Sequence, residues 1–300
     1  MNAYLLSDPK PIERLLAKRL LKSGRRPASW KRFPSGEVFV SVEGAAKKVC
    51  VIGRTEPPGD NFFNTMFLLD TLKRAGAKDI AAAIPYFGYA RQDRQLRPGD
   101  PVTADCLTNA LGCAGATRII TIDIHSERIA KGSPIPIVSV SPLKEMSQLL
   151  KVRLKGKPCT VVSPDYGARK RAGELAGLLA GGVAWVEKVR DARGGATARS
   201  FHGVTRGKTA VLVDDILDTG GTLRAAAGLL RSLGFRELHL CVTHPVFSAD
   251  ARETVRKLRF ASLTFCNAIP LAPKIAAWPN VQVVEVSKMM ADAVIKMSLP

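Results

Sequence analysis

One segment, residues 211–223, constrains the fold of this chain more than any other. It reads Val-Leu-Val-Asp-Asp-Ile-Leu-Asp-Thr-Gly-Gly-Thr-Leu. Residues 210–213 form a short valine-rich apolar run that predicts a buried parallel strand, and a helical pattern begins after Thr222. A chain with this segment therefore contains a strand-to-helix crossing of the α/β type.

The loop of this crossing carries groups that suit a phosphorylated sugar. Residues 219–222 offer hydroxyls, glycine backbone that a ligand can approach closely, and the unpaired N–H groups of a helix start, which favour a phosphate monoester. Asp214 and Asp215 would accept hydrogen bonds from the vicinal hydroxyls of a ribose, or would bind a hydrated divalent cation. The segment predicts a ribose 5-phosphate pocket. The simpler alternative is an ordinary glycine-rich turn with solvated acids.

Length and charge limit the classes of protein to consider. Three hundred residues predict two domains of about 100 to 150 residues each. The formal net charge of +19 raises nucleic acid, anionic membrane and polyphosphate substrates as partners. The cations are densest at residues 18–32, where no recognisable nucleic-acid-binding module accompanies them. We interpret that segment as a solvated basic face and predict no nucleic-acid partner.

Cysteine usage and hydropathy address the compartment. The six cysteines include no Cys-x-x-Cys pair, and most lie in apolar surroundings, which predicts reduced core thiols. No apolar signal region stands at the N-terminus, and no run approaches the roughly 18 apolar residues of a membrane span. The sequence predicts a cytoplasmic enzyme without a membrane partner.

The two halves of the chain follow one pattern. In each, a valine-rich strand leads through a loop to a helix that stops at a glycine, Gly76 or Gly234. The next strand ends in Pro-x-Phe, at Phe87 or Phe247, with nearly the same spacing. This predicts two copies of one α/β unit. Only the second copy carries the acids and the Thr-Gly-Gly-Thr loop.

A domain boundary is predicted in the proline-containing segment 133–142. We therefore expect an N-terminal domain over residues 1–141 and a C-terminal domain over residues 142–300. Within the second domain, residues 190–205 have the composition of a mobile loop.

Six sequence blocks occur in the order and approximate spacing of the ribose-phosphate pyrophosphokinase family, also called phosphoribosyl pyrophosphate synthetases. The blocks are residues 33–37, 85–94, 123–127, 163–165, 188–190 and 214–222. On these motifs the sequence is identified as a member of that family. A phosphoribosyltransferase, the first alternative, would explain only the last block. The second alternative is a non-catalytic regulatory homologue on the same fold.

The resemblance implies two tandem type I phosphoribosyltransferase-like domains, each a mostly parallel sheet flanked by helices. It implies a ribose-phosphate diphosphokinase that transfers the pyrophosphoryl group of ATP to the 1-hydroxyl of ribose 5-phosphate. The products would be AMP and phosphoribosyl pyrophosphate for nucleotide biosynthesis. The resemblance also implies Mg²⁺ as cofactor and a homo-oligomer whose nucleotide site lies near a subunit boundary.

The resemblance further assigns residues to each ligand. For ATP it implies Phe33, Ser35, Gly36, Glu37, Arg91 and Gln92. For ribose 5-phosphate it implies Arg190, Asp214, Asp215, Asp218, Thr219, Gly220, Gly221 and Thr222. For magnesium it implies His125 and Asp165, and for stabilising charge on the transferring group it implies Lys188 and Arg190.

Simpler interpretations of these residues stay open on local sequence alone. Arg91 also fits a solvated loop, and a lone histidine such as His125 is more often a core residue than a ligand. Asp165 precedes Tyr-Gly and could simply close a turn. Lys188 and Arg190 could be a solvated charge pair.

The sequence departs from the family pattern at three places, which indicates a divergent branch. Ser35 stands where the family has an aspartate that accepts a hydrogen bond from the adenine amino group. A serine hydroxyl accepts from adenine and donates to the guanine carbonyl, so we predict measurable use of GTP. Residues 165–169 read Asp-Tyr-Gly-Ala-Arg in place of Asp-Ile-Gly-Gly, and residues 188–190 read Lys-Val-Arg in place of Lys-Arg-Arg.

Overall fold

A computed structural model describes residues 2–20, 28–190 and 196–297, with side chains except at 188–190 and 196–199. The chain divides into two compact units, Met1–Ser141 with Val286–Pro300, and Pro142–Glu285. The chain first passes from one unit to the other between Ser141 and Pro142. Residues 286–300, which the sequence analysis assigns to the second domain, group with the first unit.

The first unit is built on a five-stranded parallel sheet in the order β1-β4-β5-β6-β7, beside a two-stranded hairpin of β2 and β3. Its elements, in chain order, are β1 (Asn2–Leu5), α1 (Pro11–Leu20), β2 (Ser29–Arg32), β3 (Val38–Ser41), β4 (Lys48–Ile52), α2 (Asp60–Arg74), β5 (Asp79–Ile84), α3 (Thr103–Ala114), β6 (Arg118–Ile122), α4 (Glu127–Gly132) and β7 (Ile137–Val140).

The second unit is built on a seven-stranded sheet in the order β10-β9-β8-β11-β12-β13-β14. Only the β9–β10 pair is antiparallel. Its elements are α5 (Leu143–Leu154), β8 (Cys159–Ser163), α6 (Arg169–Leu179), β9 (Gly182–Arg190), β10 (Ala196–Val204), β11 (Thr209–Leu217), α7 (Gly221–Ser232), β12 (Glu237–Pro245), α8 (Ala251–Lys257), β13 (Ser262–Cys266), α9 (Pro273–Ala276) and β14 (Val281–Val284). The predicted α/β class with mostly parallel sheets is confirmed.

The burial of the central strands explains why their sequences are continuous apolar runs. Val49 and Ile52 of β4, and Val211 of β11, have no exposed surface. Parallel strands with covered faces bury every side chain, so they lose the alternation of a half-exposed strand. The hydrophobic cores of both units lie against these strands.

A further helix, α10 (Ser287–Lys296), completes the first unit after the chain has built the second. It packs on α1 and on β5, β6 and β7, and it buries Met290 and Val294. Arg19 Nε of α1 donates to the Ser287 hydroxyl over 2.7 Å. Arg118 of β6 donates to the Met297 carbonyl oxygen over 2.9 Å. These contacts explain why residues after 285 belong with the first unit.

The predicted repeat is visible in how the two corresponding helices end. After α2 and α7 the chain passes through Gly76 and Gly234 with φ of +99° and +83°. In both cases the N–H of the next residue donates over 3.0 Å to the carbonyl oxygen five residues earlier. This is the Schellman ending, which needs a left-handed residue that glycine supplies without steric cost.

The prediction of a mobile loop over residues 190–205 is wrong for residues 196–204. Residues 196–204 form β10, which pairs antiparallel with β9, for example Phe201 opposite Val186. Phe201 also packs against Phe235, with ring centroids 6.0 Å apart. β10 is an edge strand in which His202 is exposed. Edge strands carry polar residues, so the composition of β10 resembles that of a loop. Residues 191–195 lie outside the described part of the chain.

All six cysteines are free thiols. Cys106 and Cys113 are exposed on α3, so the prediction of core thiols is wrong for these two and holds for the four buried ones. Within the described ranges, no helix has both the length and the apolar character needed to cross a membrane.

Candidate active site

The crossing from β11 to α7 forms the centre of the candidate site in the second unit. β11 continues past the predicted strand end, because Asp214 pairs with Val242 and Ile216 with His244 of β12. The helix begins at Gly221, slightly before the predicted start. Asp214 is therefore held by strand pairing, Asp215 lies between two paired residues of the same strand, and the connecting loop shortens to residues 218–220.

Gly220 shapes this loop. It is the N-cap of α7 and has a φ of +78°, a conformation that side-chain-bearing residues rarely adopt. A Cβ atom here would also lie 3.2 Å from the Thr254 side chain. The turn leaves the first N–H groups of a 12-residue helix directed at the loop, and such groups bind phosphate.

Three carboxylates lie together beside the loop. The N–H of Asp215 donates to the Asp214 carboxylate over 3.0 Å, and Asp215 is only 8% exposed. Burial, and then the charges of Asp215 and Asp165, raise the pKa of Asp214 well above its usual value. Neighbouring carboxylates that repel one another are stabilised by hydroxyl donors or by a cation.

Asp165 occupies a turn after β8. Its carboxylate accepts a hydrogen bond from the Ala168 N–H over 3.2 Å, and the Ser163 hydroxyl donates to its carbonyl oxygen. The simpler interpretation, that Asp165 closes a turn, therefore describes part of its role. The proximity that raises the pKa of Asp214 is a second property, which turn closure does not require.

A stacked row of side chains, Tyr166, Arg169, Trp185 and His202, runs from this turn across β9 to β10. The guanidinium carbon of Arg169 lies 3.1 Å from the centre of the Tyr166 ring and 5.7 Å from that of Trp185. The rings of Trp185 and His202 stack with centroids 5.5 Å apart and planes inclined by 21°. This row could not be predicted from the sequence, because Trp185 and His202 meet only through the register of β9 with β10.

Lys188 and Arg190 belong to β9, opposite Ala198 and Ala196 of β10. Their backbone is described, whereas their side chains lie outside the described residues. The roles that the resemblance implies for them stay predictions.

In the first unit, the predicted nucleotide residues of the hairpin form an exposed turn between β2 and β3. The Phe33 N–H donates to the Glu37 carbonyl oxygen over 2.8 Å, and Gly36 has a φ of +93°. The Ser35 hydroxyl donates to the Glu37 carboxylate over 2.8 Å. This hydroxyl is thus engaged within the turn itself.

Arg91 and Gln92 lie on an exposed loop after β5. The Gln92 carboxamide oxygen accepts from the Thr103 hydroxyl over 2.6 Å. Gly88 anchors the loop, since its N–H donates to the Thr55 hydroxyl over 2.8 Å. A Cβ atom on Gly88 would lie 2.7 Å from the Cα atom of Glu56, so glycine is required for this close approach.

His125 follows β6 and is exposed, so its interpretation as a core histidine is wrong. Asp123, directly after the end of β6 at Ile122, is buried and has a φ of +49°, a left-handed conformation that ends the strand. The predicted metal residues His125 and Asp165 belong to different units. Over the described ranges, no group of three or more His, Cys, Asp or Glu side chains is placed to hold a metal ion.

The two sheets and the β11–α7 loop define a class, α/β proteins with tandem phosphoribosyltransferase-type domains. Residues 7–115 match the N-terminal domain of ribose phosphate pyrophosphokinase, and residues 144–271 match the phosphoribosyl transferase domain. Together these regions cover most of the chain, and they occur in the predicted order.

Whole-chain comparisons define the family. The chain is 34% identical over 300 residues to the ribose-phosphate pyrophosphokinase of Bacillus cereus, covering 99% of this chain and 93% of that relative. It has the same identity and coverage with the Corynebacterium ammoniagenes enzyme of that name. The crystal structure of phosphoribosylpyrophosphate synthetase from Mycobacterium smegmatis matches with a TM-score of 0.86 and 26% identity over 99% of both chains. The chain belongs to the ribose-phosphate pyrophosphokinase family.

Proposed function

We propose that this protein is a ribose-phosphate diphosphokinase, which makes phosphoribosyl pyrophosphate and AMP from ribose 5-phosphate and ATP. The β11–α7 crossing carries the proposal, because it combines the half-buried Asp214 and the buried Asp215 with a helix N-terminus. Family membership over nearly the whole chain supports it. A phosphoribosyltransferase accounts for the second unit alone, so the synthetase explains more of the chain.

Ribose 5-phosphate would bind at the second unit. Asp214 and Asp215 would accept hydrogen bonds from the ribose hydroxyls, and residues 218–222 would bind the 5-phosphate through backbone N–H groups and hydroxyls. The strand pairing of β11 fixes the two acids before substrate arrives. Such preorganisation lowers the entropic cost of binding.

ATP would bind to residues of the first unit, the turn 33–37 together with Arg91 and Gln92. The Arg91 guanidinium suits phosphate oxygens, which it contacts bidentately. The loop that carries Arg91 is held to the loop after β4 through Gly88 and Thr55. That anchoring supports a fixed position for the nucleotide contacts.

Magnesium is the cofactor we propose, with Asp165 and His125 as the residues that would hold it. The carboxylate oxygens of Asp165 suit a hard divalent cation, because such oxygens are its preferred ligands. The exposed imidazole of His125 is a weaker ligand for such an ion and suits a contact shared with water. When bound, magnesium supplies neutralisation of phosphate charge.

The reaction we propose is an in-line transfer. The 1-hydroxyl oxygen of ribose 5-phosphate forms a bond to the β-phosphorus of ATP, while the bond from that phosphorus to the α,β-bridging oxygen breaks. AMP leaves with the bridging oxygen, and the hydroxyl proton passes to solvent. Lys188 and Arg190 would stabilise the charge of the transferring group, since phosphoryl transfer depends chiefly on positioning and electrostatics.

Self-association is the partner we propose, with the nucleotide turn near the contact between copies. Phe63 and Phe67 of α2 are 54% and 43% exposed, with ring centroids 6.3 Å apart. Phe39, on the hairpin strand β3 that packs on α2, is 52% exposed. Three exposed aromatic rings beside the hairpin favour a second copy of this chain as their cover.

The cytoplasm is the compartment we propose for this enzyme. The six free thiols are compatible with a reducing environment. The substrates ATP and ribose 5-phosphate are metabolites of that compartment.

A phosphorus NMR time course with ATP, ribose 5-phosphate and Mg²⁺ tests the proposed reaction. We expect the ATP signals to give way to AMP and to a new diphosphate ester. An unchanged spectrum would establish a non-catalytic homologue. Consumption of added phosphoribosyl pyrophosphate with a free base, and none of ATP, would establish a phosphoribosyltransferase. The protein with both Asp214→Asn and Asp215→Asn serves as the matched control at limiting ribose 5-phosphate.

A further inference from the structure

The stacked row begins at the residue next to Asp165. Arg169 binds Tyr166 twice, because its Nε donates to the Tyr166 carbonyl oxygen over 2.9 Å while its guanidinium covers the Tyr166 ring. Tyr166 is 62% exposed, so the protein core does not fix its ring. Arg169 therefore closes the turn that carries Asp165 from the outside.

The other end of the row lies on the β9–β10 pair. Trp185 stands opposite Ser163 of β8 and opposite His202 of β10. His202 Nε2 lies 2.9 Å from the Ser200 hydroxyl, and that hydroxyl donates to the Glu187 carboxylate over 2.7 Å. The row thus connects the Asp165 turn with both strands of this pair through side chains.

This connection matters because β9 continues from Trp185 to Lys188 and Arg190. Lys188 is three residues beyond Trp185, about 10 Å along an extended strand. β10 is the edge strand, and the pairing of β9 with β8 ends at Trp185. Beyond Trp185, β9 is held by its pairing with β10 and by side chains such as those of the row. A displacement of about 1 Å in such a group costs roughly 100-fold in rate.

We propose that Arg169 and Trp185 are positioning residues for pyrophosphoryl transfer. The row holds the Asp165 turn and β9 in one arrangement, and thereby sets where Lys188 and Arg190 stand relative to Asp165. This inference rests on the proposed function and adds to it residues that touch neither substrate. The row requires a planar cation between the Tyr166 and Trp185 rings. Arginine has a planar cationic group, and lysine does not.

Steady-state kinetics on matched variants test the proposal. Arg169→Gln and Arg169→Lys should each lower kcat by about tenfold or more, with both KM values changed less than about twofold, because positioning acts on the transition state. Trp185→Phe should retain more of kcat than Trp185→Ala, since a ring is kept. Lys151→Gln removes the same charge from an exposed position on α5 and should behave as the parent.

Fluorescence gives a readout independent of turnover. In a protein with Trp30→Phe and Trp278→Phe, Trp185 is the remaining tryptophan. Arg169→Gln should then shift the Trp185 emission without substrate, whereas Lys151→Gln should not. Unshifted emission would overturn the row itself.

Two kinetic outcomes would overturn the positioning role. One is Arg169→Lys with a kcat within about twofold of the parent. The other is a fall in kcat that is proportional to the fall in melting temperature across all variants. Such a correlation would indicate that the contact is purely structural. If the parent protein made no phosphoribosyl pyrophosphate, the proposed function would be wrong. The emission shift would still test whether Arg169 and Trp185 are in contact as the row requires.

Discussion

The main-chain N–H of Asp215 donates a hydrogen bond to the carboxylate of the residue before it, Asp214, over 3.0 Å. Both residues are still within β11 at that point. The backbone thus holds one carboxylate while its neighbour is buried beside it. This arrangement suits a pair of acceptors directed at one sugar.

Replacing both acids, Asp214→Asn and Asp215→Asn, should raise the KM for ribose 5-phosphate and leave ATP binding nearly intact. A neutral amide is a weaker acceptor for hydroxyl donors than a carboxylate, and charge-assisted hydrogen bonds are roughly twice as strong as neutral ones. Initial rates over both substrate concentrations measure the effect. Equal losses of affinity for both substrates would place the acids on the metal instead.

Lys188→Ala should lower turnover far more than it weakens either substrate. A charge directed at the transition state contributes little to ground-state binding. By analogy with the loss of one oxyanion donor, we expect a fall in kcat of about 100-fold or more. Single-turnover rates at saturating substrates are the measurement, and a fall below about threefold would reject the catalytic assignment.

Ser35 and Glu37 should together set the preference of the enzyme for ATP or GTP. The Ser35 hydroxyl already donates to the Glu37 carboxylate over 2.8 Å, so donation to a guanine carbonyl requires breaking that bond. We expect measurable GTP use, and we expect Ser35→Asp to sharpen the preference for ATP by about three- to tenfold. The ratio of kcat/KM for the two nucleotides is the measurement.

The matched variant Glu37→Gln weakens the acceptor of the Ser35 hydroxyl and should move the ratio toward GTP. A ratio that neither substitution changes would mean that the purine is recognised elsewhere.

Glu13 should make the stability of the first unit depend on pH. Glu13 lies on the buried side of α1, and this burial, opposed by the charge of Arg54, raises its pKa from 4.5 to about 7. A carboxyl group whose pKa is raised on folding stabilises the folded state below its unfolded pKa, and that stabilisation is lost as the pH rises through about 7. The full change corresponds to about 3 kcal/mol.

Glu13→Gln removes the titration, so its melting temperature should fall less than that of the parent between pH 5 and pH 8. Thermal unfolding at both pH values measures this. Identical slopes in the two proteins would assign the pH dependence to other groups.

Phe63→Ser combined with Phe67→Ser should dissociate the homo-oligomer that we propose. Burial of such rings supplies much of the binding energy of an interface. Light scattering coupled to size exclusion should report a lower mass, whereas Val152→Ser, at a 69% exposed position on α5, should not change it. A parent protein that is already monomeric would reject the proposed self-association.

The strand-to-helix crossings could be predicted because their determinants are local. Valine-rich runs identify β4 and β11, since parallel strands bury both faces. Gly76 and Gly234 mark the helix ends, because each takes a backbone conformation that favours glycine. The acids and glycines of the β11–α7 crossing are close together in the sequence, so their proximity in the structure could be predicted without knowledge of the fold.

Other features depend on contacts between distant residues and could not be predicted. The end of β11 is set by pairing with β12, which holds Asp214 inside the strand. β10 reads as a loop because its polar residues lie at a sheet edge. The contact between Trp185 and His202 depends on the register of β9 with β10. The row that contains Arg169 therefore could not be predicted, and Arg169 was not identified as a site residue.

The return of the chain to the first unit has a consequence for synthesis of the protein. α10 covers α1 and three strands of the first sheet, and it is made after every element of the second unit. The first unit therefore leaves the ribosome with an apolar face uncovered, where Met290 and Val294 will later pack. All elements of the second unit are synthesised before α10, the last helix of the first unit. The second unit is therefore completed first during translation, although the first unit begins earlier in the chain.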